Sequence, residues 1–306
     1  MLIIRNPSHH FFKPGLALTI GNFDGVHLGH QKIIHELKSS AAEKGLASAI
    51  MTFEPHPVSF LKPNQARDFR ITSLAQKLKI FQQHQINRII LMRFDRKIAA
   101  MSAQDFIAEV LIKSLNVKHL SIGYDFTFGK NRQGNFKLLE QAAQQFDFEL
   151  KEISAHKELE QICSSSLIRK FISEGKIIEA NKFLGDNFKV CGLVNEGRKL
   201  GRQLGFPTAN LSAHLQMIKP KFGVYRTRTF IASINQEFPS ITNFGIKPTI
   251  NHNSAPIFET HIPGFNGNIY GKKIEVKFLD FIREEKKFSS LEELKKQIAE
   301  DLLHIF

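Results

Sequence analysis

The sequence predicts two folds in tandem: an α/β unit on a parallel sheet over residues 1–184, then a small antiparallel β-barrel with a terminal α-helix over residues 185–306. Three observations predict this. Short apolar runs alternate with amphipathic helical stretches through the first half, the rhythm of a parallel sheet with crossover helices. Beyond residue 188 the helical period vanishes until the last segment, and short β-rich runs bounded by turns replace it. Finally, a chain of 306 residues is long enough to bury two ordinary cores.

The elements follow in order. Leu16 to Ile20 is a short buried strand, broken by turn residues at Gly21, Asp24 and Gly25. A helix begins near His27, sets Ile33, Ile34, Leu37 and Ala41 on one face and ends at Gly45. Strands are expected at Ser48–Phe53, Arg88–Met92 and His119–Tyr124, and helices at Ser73–Gln83 and Ala103–Leu115. The first of those helices carries the capping box Ser73-x-x-Gln76, with Leu74, Leu78 and Phe81 spaced for one face. A further helix follows three serines and runs through Phe171 and Ile172, and Phe183–Phe188 reads as a linker. The second half offers strands at Lys189–Val194, Gly223–Ile231, Pro239–Asn243, Ile257–Ile262 and Lys273–Phe281, with a turn at Asn266-Gly267. Ile274, Val276 and Phe278 alternate with charged residues, as in a strand with one wet face. The closing helix has Ser290-x-x-Glu293 as its capping box and Leu291, Leu294, Ile298 and Leu302 inward.

Composition bounds the function. With 42 Lys+Arg against 29 Asp+Glu the net charge is +13, which favours anionic ligands. The basic residues are scattered without a polybasic run, so nucleic acid is not expected as a partner. The opening Met1-Leu-Ile-Ile-Arg-Asn-Pro7 is too short an apolar run for a signal peptide, and no stretch approaches the ~18 apolar residues of a membrane span. Two isolated cysteines, Cys163 and Cys191, form no disulfide framework. The expectation is a cytoplasmic protein, monomeric or weakly self-associating.

The strand–turn–helix around Gly21-Asn-Phe-Asp-Gly-Val-His-Leu-Gly-His30 points backbone N–H groups and a helix dipole at one place, a setting for phosphate. His27 and His30 share one face, where two imidazoles can donate to phosphate oxygens as charge builds, and Gly29 lets a ligand approach the backbone. Two surface histidines are the plainer alternative. The P-loop pattern is absent, and no third Cys or His stands at a zinc-ligand spacing. Phe53-Glu-Pro-His-Pro57 presents His56 from a rigid loop, and Gly123-Tyr-Asp-Phe-Thr-Phe-Gly129 brackets three aromatics able to stack a planar ring; a stiff loop and a buried strand end are the alternatives. In Cys163-Ser-Ser-Ser-Leu-Ile-Arg169, Arg169 opposes the helix dipole unless an anion joins it. Gly197-Arg-Lys-Leu-Gly-Arg-Gln-Leu-Gly-Phe-Pro-Thr-Ala-Asn210 makes a mobile basic loop that could wrap phosphates, with Pro207 fixing the chain ahead of Thr208 and Asn210, two oxygen ligands of the kind Mg²⁺ accepts; a glycine-rich turn is the alternative.

These stretches resemble, in order and over nearly the whole chain, the motifs of the bacterial bifunctional riboflavin kinase/FAD synthetase family. G-x-F-D-G-V-H-x-G-H, T-F-x-P-H-P, G-x-D-F-x-F-G and S-S-T-x-I-R (here with Ser166 for Thr) are similar to its FMN adenylyltransferase half, a Rossmann-like nucleotidyltransferase domain. G-F-P-T-A-N, the segment Phe258-Glu-Thr-His261 and Arg283-Glu-Glu-Lys-Lys-Phe288 are similar to its riboflavin kinase half. The resemblance implies that ATP phosphorylates riboflavin to FMN in the barrel, with Glu259 as general base and Mg²⁺ on Thr208 and Asn210. Gly197, Gly201, Arg202, Gly205 and Pro207 would cradle the kinase phosphates. In the first domain FMN would take AMP from a second ATP, giving FAD and pyrophosphate. His27 and His30 would be catalytic there, and Gly21, Asn22, Phe23, Asp24, Gly29, Ser164, Ser165, Ser166 and Arg169 would bind ATP. Phe53, His56, Pro57, Asp125, Phe126, Phe128 and Arg283 are flavin-binding candidates. Asp95 matches a family position without an assigned role.

Two departures keep an alternative open. Lys247 stands where the family usually has Arg, and Gly185-Asp-Asn-Phe188 replaces its usual G-R-P-Y. A monofunctional FMN adenylyltransferase with an impaired kinase is therefore the second expectation. A basic RNA-binding protein that has lost catalysis is the third, and the retained His27, His30, Thr208, Asn210 and Glu259 count against it.

Overall fold

The computed structural model describes residues 1–7, 12–196, 205–246 and 256–305. The chain divides into two compact units, Met1–Ser165 and Ser166–Phe306.

In the first unit β1 (Leu2–Arg5), β2 (Leu16–Ile20), β3 (Ala47–Glu54), β4 (Arg88–Arg93), β5 (Val117–Gly123) and β6 (Glu149–Ile153) form one sheet, ordered β1-β4-β3-β2-β5-β6. Every pairing is parallel, as the alternation predicts. All five residues of β2 are buried. A strand covered on both faces needs no polar side, which is why Leu16–Ile20 is apolar at every position but the buried Thr19. Leu16, Leu18 and Ile20 join a core containing Met51, Ile90, Phe106 and Leu139. Ala17 joins a second core with Ile34, Leu37, Ile50 and Phe81. Helices α1 (Leu28–Glu43) and α3 (Leu74–Gln83) supply the second core. The short α2 (Pro57–Leu61) and α4 (Arg96–Ala100) lie in the loops, and α5 (Ala103–Asp105) runs on as a π-helix, Phe106–Ser114. That π-helix and α6 (Phe136–Phe146) supply the first core. A small hairpin, β7 (Lys157–Glu158) and β8 (Gln161–Ile162), follows.

Ser73 and Gln76 form the expected capping box on α3. Its buried face differs from the expected one: Phe81 is buried, Leu74 and Leu78 only half so, and the polar Gln76 and Lys77 are buried in their place. β1 and β6, the two edge strands, escaped the sequence reading: Leu2–Arg5 is only four residues long, and Glu149–Ile153 has only Leu150 and Ile153 as apolar residues.

Helices α7 (Ser165–Ser173) and α8 (Ile177–Leu184) precede the second sheet. That sheet comprises β9 (Lys189–Leu193), β10 (Thr208–Ser212), β11 (Gly223–Ile231), β12 (Gln236–Gly245), β13 (Ile257–His261) and β14 (Lys273–Arg283), ordered β10-β13-β12-β11-β14-β9. All its pairings are antiparallel, and an Asn195–Asn210 bridge brings the two edges together, so the barrel is nearly closed. Tyr225, Phe244, Phe258 and Phe278 fill it, together with the buried hydroxyls of Thr227, Thr229, Ser240, Thr242 and Thr260, which bond one another at 2.8–2.9 Å.

Four expectations change here. Thr208–Ser212 is a strand rather than part of a loop. Phe183–Phe188 is packed rather than a tether: Phe183 and Phe188 are buried, and Asn181 accepts from Phe188 N–H at 2.7 Å and donates to Phe278 O at 2.8 Å. Asn266-Gly267 runs open between turns at Pro263–Gly264 and Tyr270–Gly271. The closing helix α9 (Leu291–Leu302) is capped by Ser290, yet Leu291 is exposed, Leu294, Ile298 and Leu302 are half-buried and Asp301 is buried. Gly197, Gly201, Arg202 and Lys247 lie outside the described residues. Among the described residues no helix is long and apolar enough to cross a membrane.

Candidate active sites

The first site sits after β2, between its neighbours β3 and β5, where connections leave the sheet in opposite directions. Open parallel sheets bind ligands at such switch points. The turn from Gly21 to His27 is strained: Phe23 and Val26 have φ of 49° and 41°, and Gly25 has 84°. A β-branched residue in that region persists only when its surroundings over-determine it. They do. The Asp24 carboxylate is buried and accepts from the N–H groups of Ile71 (3.0 and 3.1 Å) and Thr72 (3.1 Å), while Thr72 Oγ1 accepts from Gly25 N–H at 3.0 Å. Phe23 packs edge-on against His30 and Phe81, 5.1 and 5.7 Å between ring centres. A Cβ on Gly21 would press within 3.1 Å of the Phe23 ring.

His27 is the N-cap of α1, and its Nδ1 accepts from His30 N–H at 3.4 Å. An accepting Nδ1 leaves the proton of the neutral ring on Nε2. The two imidazoles stack, 3.7 Å apart and 18° from parallel, with His27 buried and His30 half-buried. A Cβ on Gly29 would lie 3.2 Å from the His27 ring, so glycine is what lets that ring lie against the helix start. Ser165, the first residue of α7, donates to the Asp24 carbonyl at 2.8 Å. Ser164 precedes it half-buried, and Ser166 and Arg169 follow within α7.

Among the ATP-binding expectations, Asp24 is thus turned onto backbone amides and holds the turn. Asp24→Ala would leave buried N–H groups of residues 71 and 72 unsatisfied at about 1–3 kcal/mol each. Urea unfolding followed in the first unit should show a loss of that order, with Asp24→Asn losing less because one acceptor remains.

His56, expected on an extended loop, is buried; it caps α2 by accepting from Val58 N–H at 3.2 Å and lies edge-on to Phe69. Pro57 is the first residue of that helix, where its missing N–H costs nothing. Phe53 meets Phe94 at 5.7 Å, and Phe126 stacks on Phe128 at 5.5 Å, with Phe126 half-buried and Asp125 exposed. Asp95 caps α4 through Ile98 N–H.

The second site lies on the barrel. The register places Asn210 of β10 directly opposite Glu259 of β13, and Asn243 of β12 opposite Glu259 from the other side. Directly opposed residues share a face, so the three side chains form a row across three strands. Asn195 N–H bonds the Asn210 carbonyl at 2.8 Å, whereas Asn210 Oδ1 is buried with no partner among the described residues. A buried carboxamide oxygen left unpaired is costly unless a ligand completes it. Thr208 and Asn210 line a cavity of about 480 Å³ with Thr260, Phe265, Asn268 and Tyr270. Gly205, with φ of 88°, sits in the left-handed region that favours glycine.

Thr208 stands opposite His261, whose Nδ1 donates to the Pro207 carbonyl at 2.8 Å. Burial holds the His261 ring below its ordinary pKa. A depressed pKa means that stability present above about pH 6.5 is lost as pH falls through the folded value. Barrel stability should therefore drop between pH 7 and pH 5 in urea titrations, and His261→Gln should flatten that dependence. Arg283, a flavin candidate, is committed to Asp301 of α9 by two bonds of 2.8 and 2.6 Å.

Sequence reasoning missed Lys77, and it met Asn243 and His261 only as members of motif segments without a role of their own. Lys77 carried a signal, a charged residue on the face set by Leu74, Leu78 and Phe81. That Asn243 stands beside Glu259 and His261 beside Thr208 becomes visible only through strand register.

Two family models match the chain: FAD synthetase over residues 11–167 and riboflavin kinase over residues 184–305. Proteins described as bifunctional riboflavin kinase/FMN adenylyltransferase are similar across both. The one from Buchnera aphidicola subsp. Schizaphis graminum is 40% identical over 288 residues, 94% of this chain and 91% of that one. Those from Haemophilus influenzae and Escherichia coli K12 are 39% and 36% identical with 94% of this chain covered. A crystal structure from Streptococcus pneumoniae, described as a macrolide-efflux protein, matches with a TM-score of 0.89 at 29% identity, covering 100% of this chain and 99% of that one.

Proposed function

This chain belongs to the bifunctional riboflavin kinase/FMN adenylyltransferase family, and from that premise we propose how its two sites divide the work. It phosphorylates riboflavin to FMN with ATP and transfers AMP from ATP to FMN, giving FAD and pyrophosphate. The observation that carries the assignment is that one chain holds both the stacked His27–His30 pair after a strained turn and, in the barrel, Asn210 lining a cavity with Glu259 directly opposite it across the strands.

In the barrel, Glu259 accepts the proton of the riboflavin 5′-hydroxyl as that oxygen attacks the γ-phosphorus of ATP and ADP leaves. Thr208 and Asn210 would hold Mg²⁺; the buried Asn210 Oδ1, without a partner among the described residues, is the hard oxygen donor such an ion takes. When bound, Mg²⁺ neutralises phosphate charge. Gly197, Gly201 and Arg202 are assigned to the phosphates by motif.

In the first unit, a phosphate oxygen of FMN attacks the α-phosphorus of ATP and pyrophosphate leaves. His27 and His30 donate to the oxygens on which charge builds, and Gly21, Asn22, Phe23 and Gly29 are assigned to ATP by motif. Ser164, Ser166 and Arg169 are assigned to the triphosphate by motif; Asp24 and Ser165 serve by holding the turn. Phe53, Phe126 and Phe128 are assigned to the isoalloxazine, with His56 and Pro57 fixing the loop beside it and Asp125 at its exposed end. Arg283 would meet flavin in the barrel once released from Asp301. The functional boundary is proposed at residues 184/185, and the working form as a cytoplasmic monomer or weak homo-oligomer.

Supplying FMN and ATP, or riboflavin and ATP, to one preparation tests each half separately. FAD from the first and FMN from the second are expected. FAD from FMN without any conversion of riboflavin would instead support the impaired kinase.

A further inference from the structure

Lys77 belongs to no motif in the chain, yet it is 4% exposed and lies beside the nucleotidyl-transfer turn. It reaches from α3 with its Nζ donating to the Asn22 carbonyl at 2.8 Å and to Thr52 Oγ1 at 3.1 Å, while Thr52 Oγ1 also donates to the Asn22 carbonyl at 3.3 Å. Asn22 opens the strained turn that ends at His27. From the geometry we infer that Lys77 is a positioning residue for adenylyl transfer: its ammonium fixes and polarises the Asn22–Phe23 peptide and so holds the turn that presents the histidines. This rests on the adenylyltransferase reading of the site.

Two physical points support it. A charge-assisted bond to a carbonyl is roughly twice as strong as a neutral one, and drawing electron density at the carbonyl strengthens the N–H of the same peptide as a donor. The second point concerns cost. Burial pulls the Lys77 pKa from 10.5 to about 8, with Asp24 and Glu54 opposing that fall and Arg70 adding to it. A lysine with a depressed folded pKa favours folding above its unfolded pKa and loses that contribution as pH falls through about 8. At pH 7 the buried ammonium therefore works against stability. A strongly shifted group held by two hydrogen bonds beside the His27–His30 turn marks a functional-site candidate.

The test is Lys77→Met in the full-length chain, with FMN-to-FAD and riboflavin-to-FMN rates measured on the same preparation. FAD formation should lose about tenfold or more in kcat with KM for ATP and FMN within about twofold, the kinase rate should stay at the wild-type level, and the urea midpoint of the first unit should be equal or higher. Unchanged kcat overturns the inference, and so does a loss of kcat that tracks a lowered urea midpoint. A second measurement needs no variant. Wild-type FAD formation should decline as pH rises through about 8, where the ammonium is lost, and the kinase reaction should not share that limb. A flat adenylyltransferase profile from pH 7 to above 9 overturns it. A wild-type chain that makes no FAD removes the reading of the site as well, which separates that failure from a failure of Lys77 alone.

Discussion

His30→Ala should lower FAD formation from FMN about 10²–10³-fold, the size expected when one preorganised donor to a developing oxyanion is removed, and leave riboflavin phosphorylation unchanged. His30 is the cleaner of the two histidines to test. It is half-buried, and its ring makes stacking and edge contacts to His27 and Phe23 without capping the helix. His27→Ala removes an imidazole and an N-cap together, and loss of a cap alone costs about 1 kcal/mol. His27→Asn separates the two effects, because asparagine caps well and cannot replace the ring. Steady-state rates with FMN and ATP, read beside the kinase rate of the same sample, decide the matter. Equal loss of both activities in a folded His30→Ala protein would refute the two-site assignment.

The mirror-image result is expected from Glu259→Gln. The amide keeps the shape of the side chain in the row between Asn210 and Asn243 but cannot take a proton. General-base catalysis is worth about 10²–10⁴-fold, so FMN formation from riboflavin should fall within that range. FAD formation from supplied FMN should persist at the wild-type rate. Since Glu259 is half-buried on a strand between two others, the substitution leaves the barrel packing of Phe258 and Thr260 intact. A kinase rate within a few-fold of wild type would show that another group takes the proton.

The parallel sheet and the barrel were legible because each rests on a local pattern. Leu16–Ile20 reads as a doubly covered strand from five residues, and Ile274, Val276 and Phe278 read as a one-faced strand from six. The capping box at Ser73 is likewise a four-residue signal. What escaped depends on residues far apart in the chain. Asp24 finds its amide partners 47 and 48 residues on, and Lys77 finds the Asn22 carbonyl 55 residues back. No periodicity reports such a pairing. Thr208–Ser212 was hidden by the glycines before it, which read as loop, while its strand character comes from pairing with Ile257–His261. A motif marked the candidate site residues; what each of their side chains bonds within the protein depended on tertiary contacts. Asp24 and His56 accept from backbone N–H groups, Ser165 donates to the Asp24 carbonyl, and Arg283 binds Asp301.

The central claim is that one chain takes riboflavin through to FAD. Its most direct test is a time course of the wild-type protein with riboflavin, ATP and Mg²⁺, the flavins being separated by chromatography. Riboflavin should decline, FMN should rise and then be drawn down, and FAD should accumulate as the final product. Riboflavin that stays unconverted while supplied FMN still becomes FAD would contradict the claim, as would FMN that accumulates without any FAD.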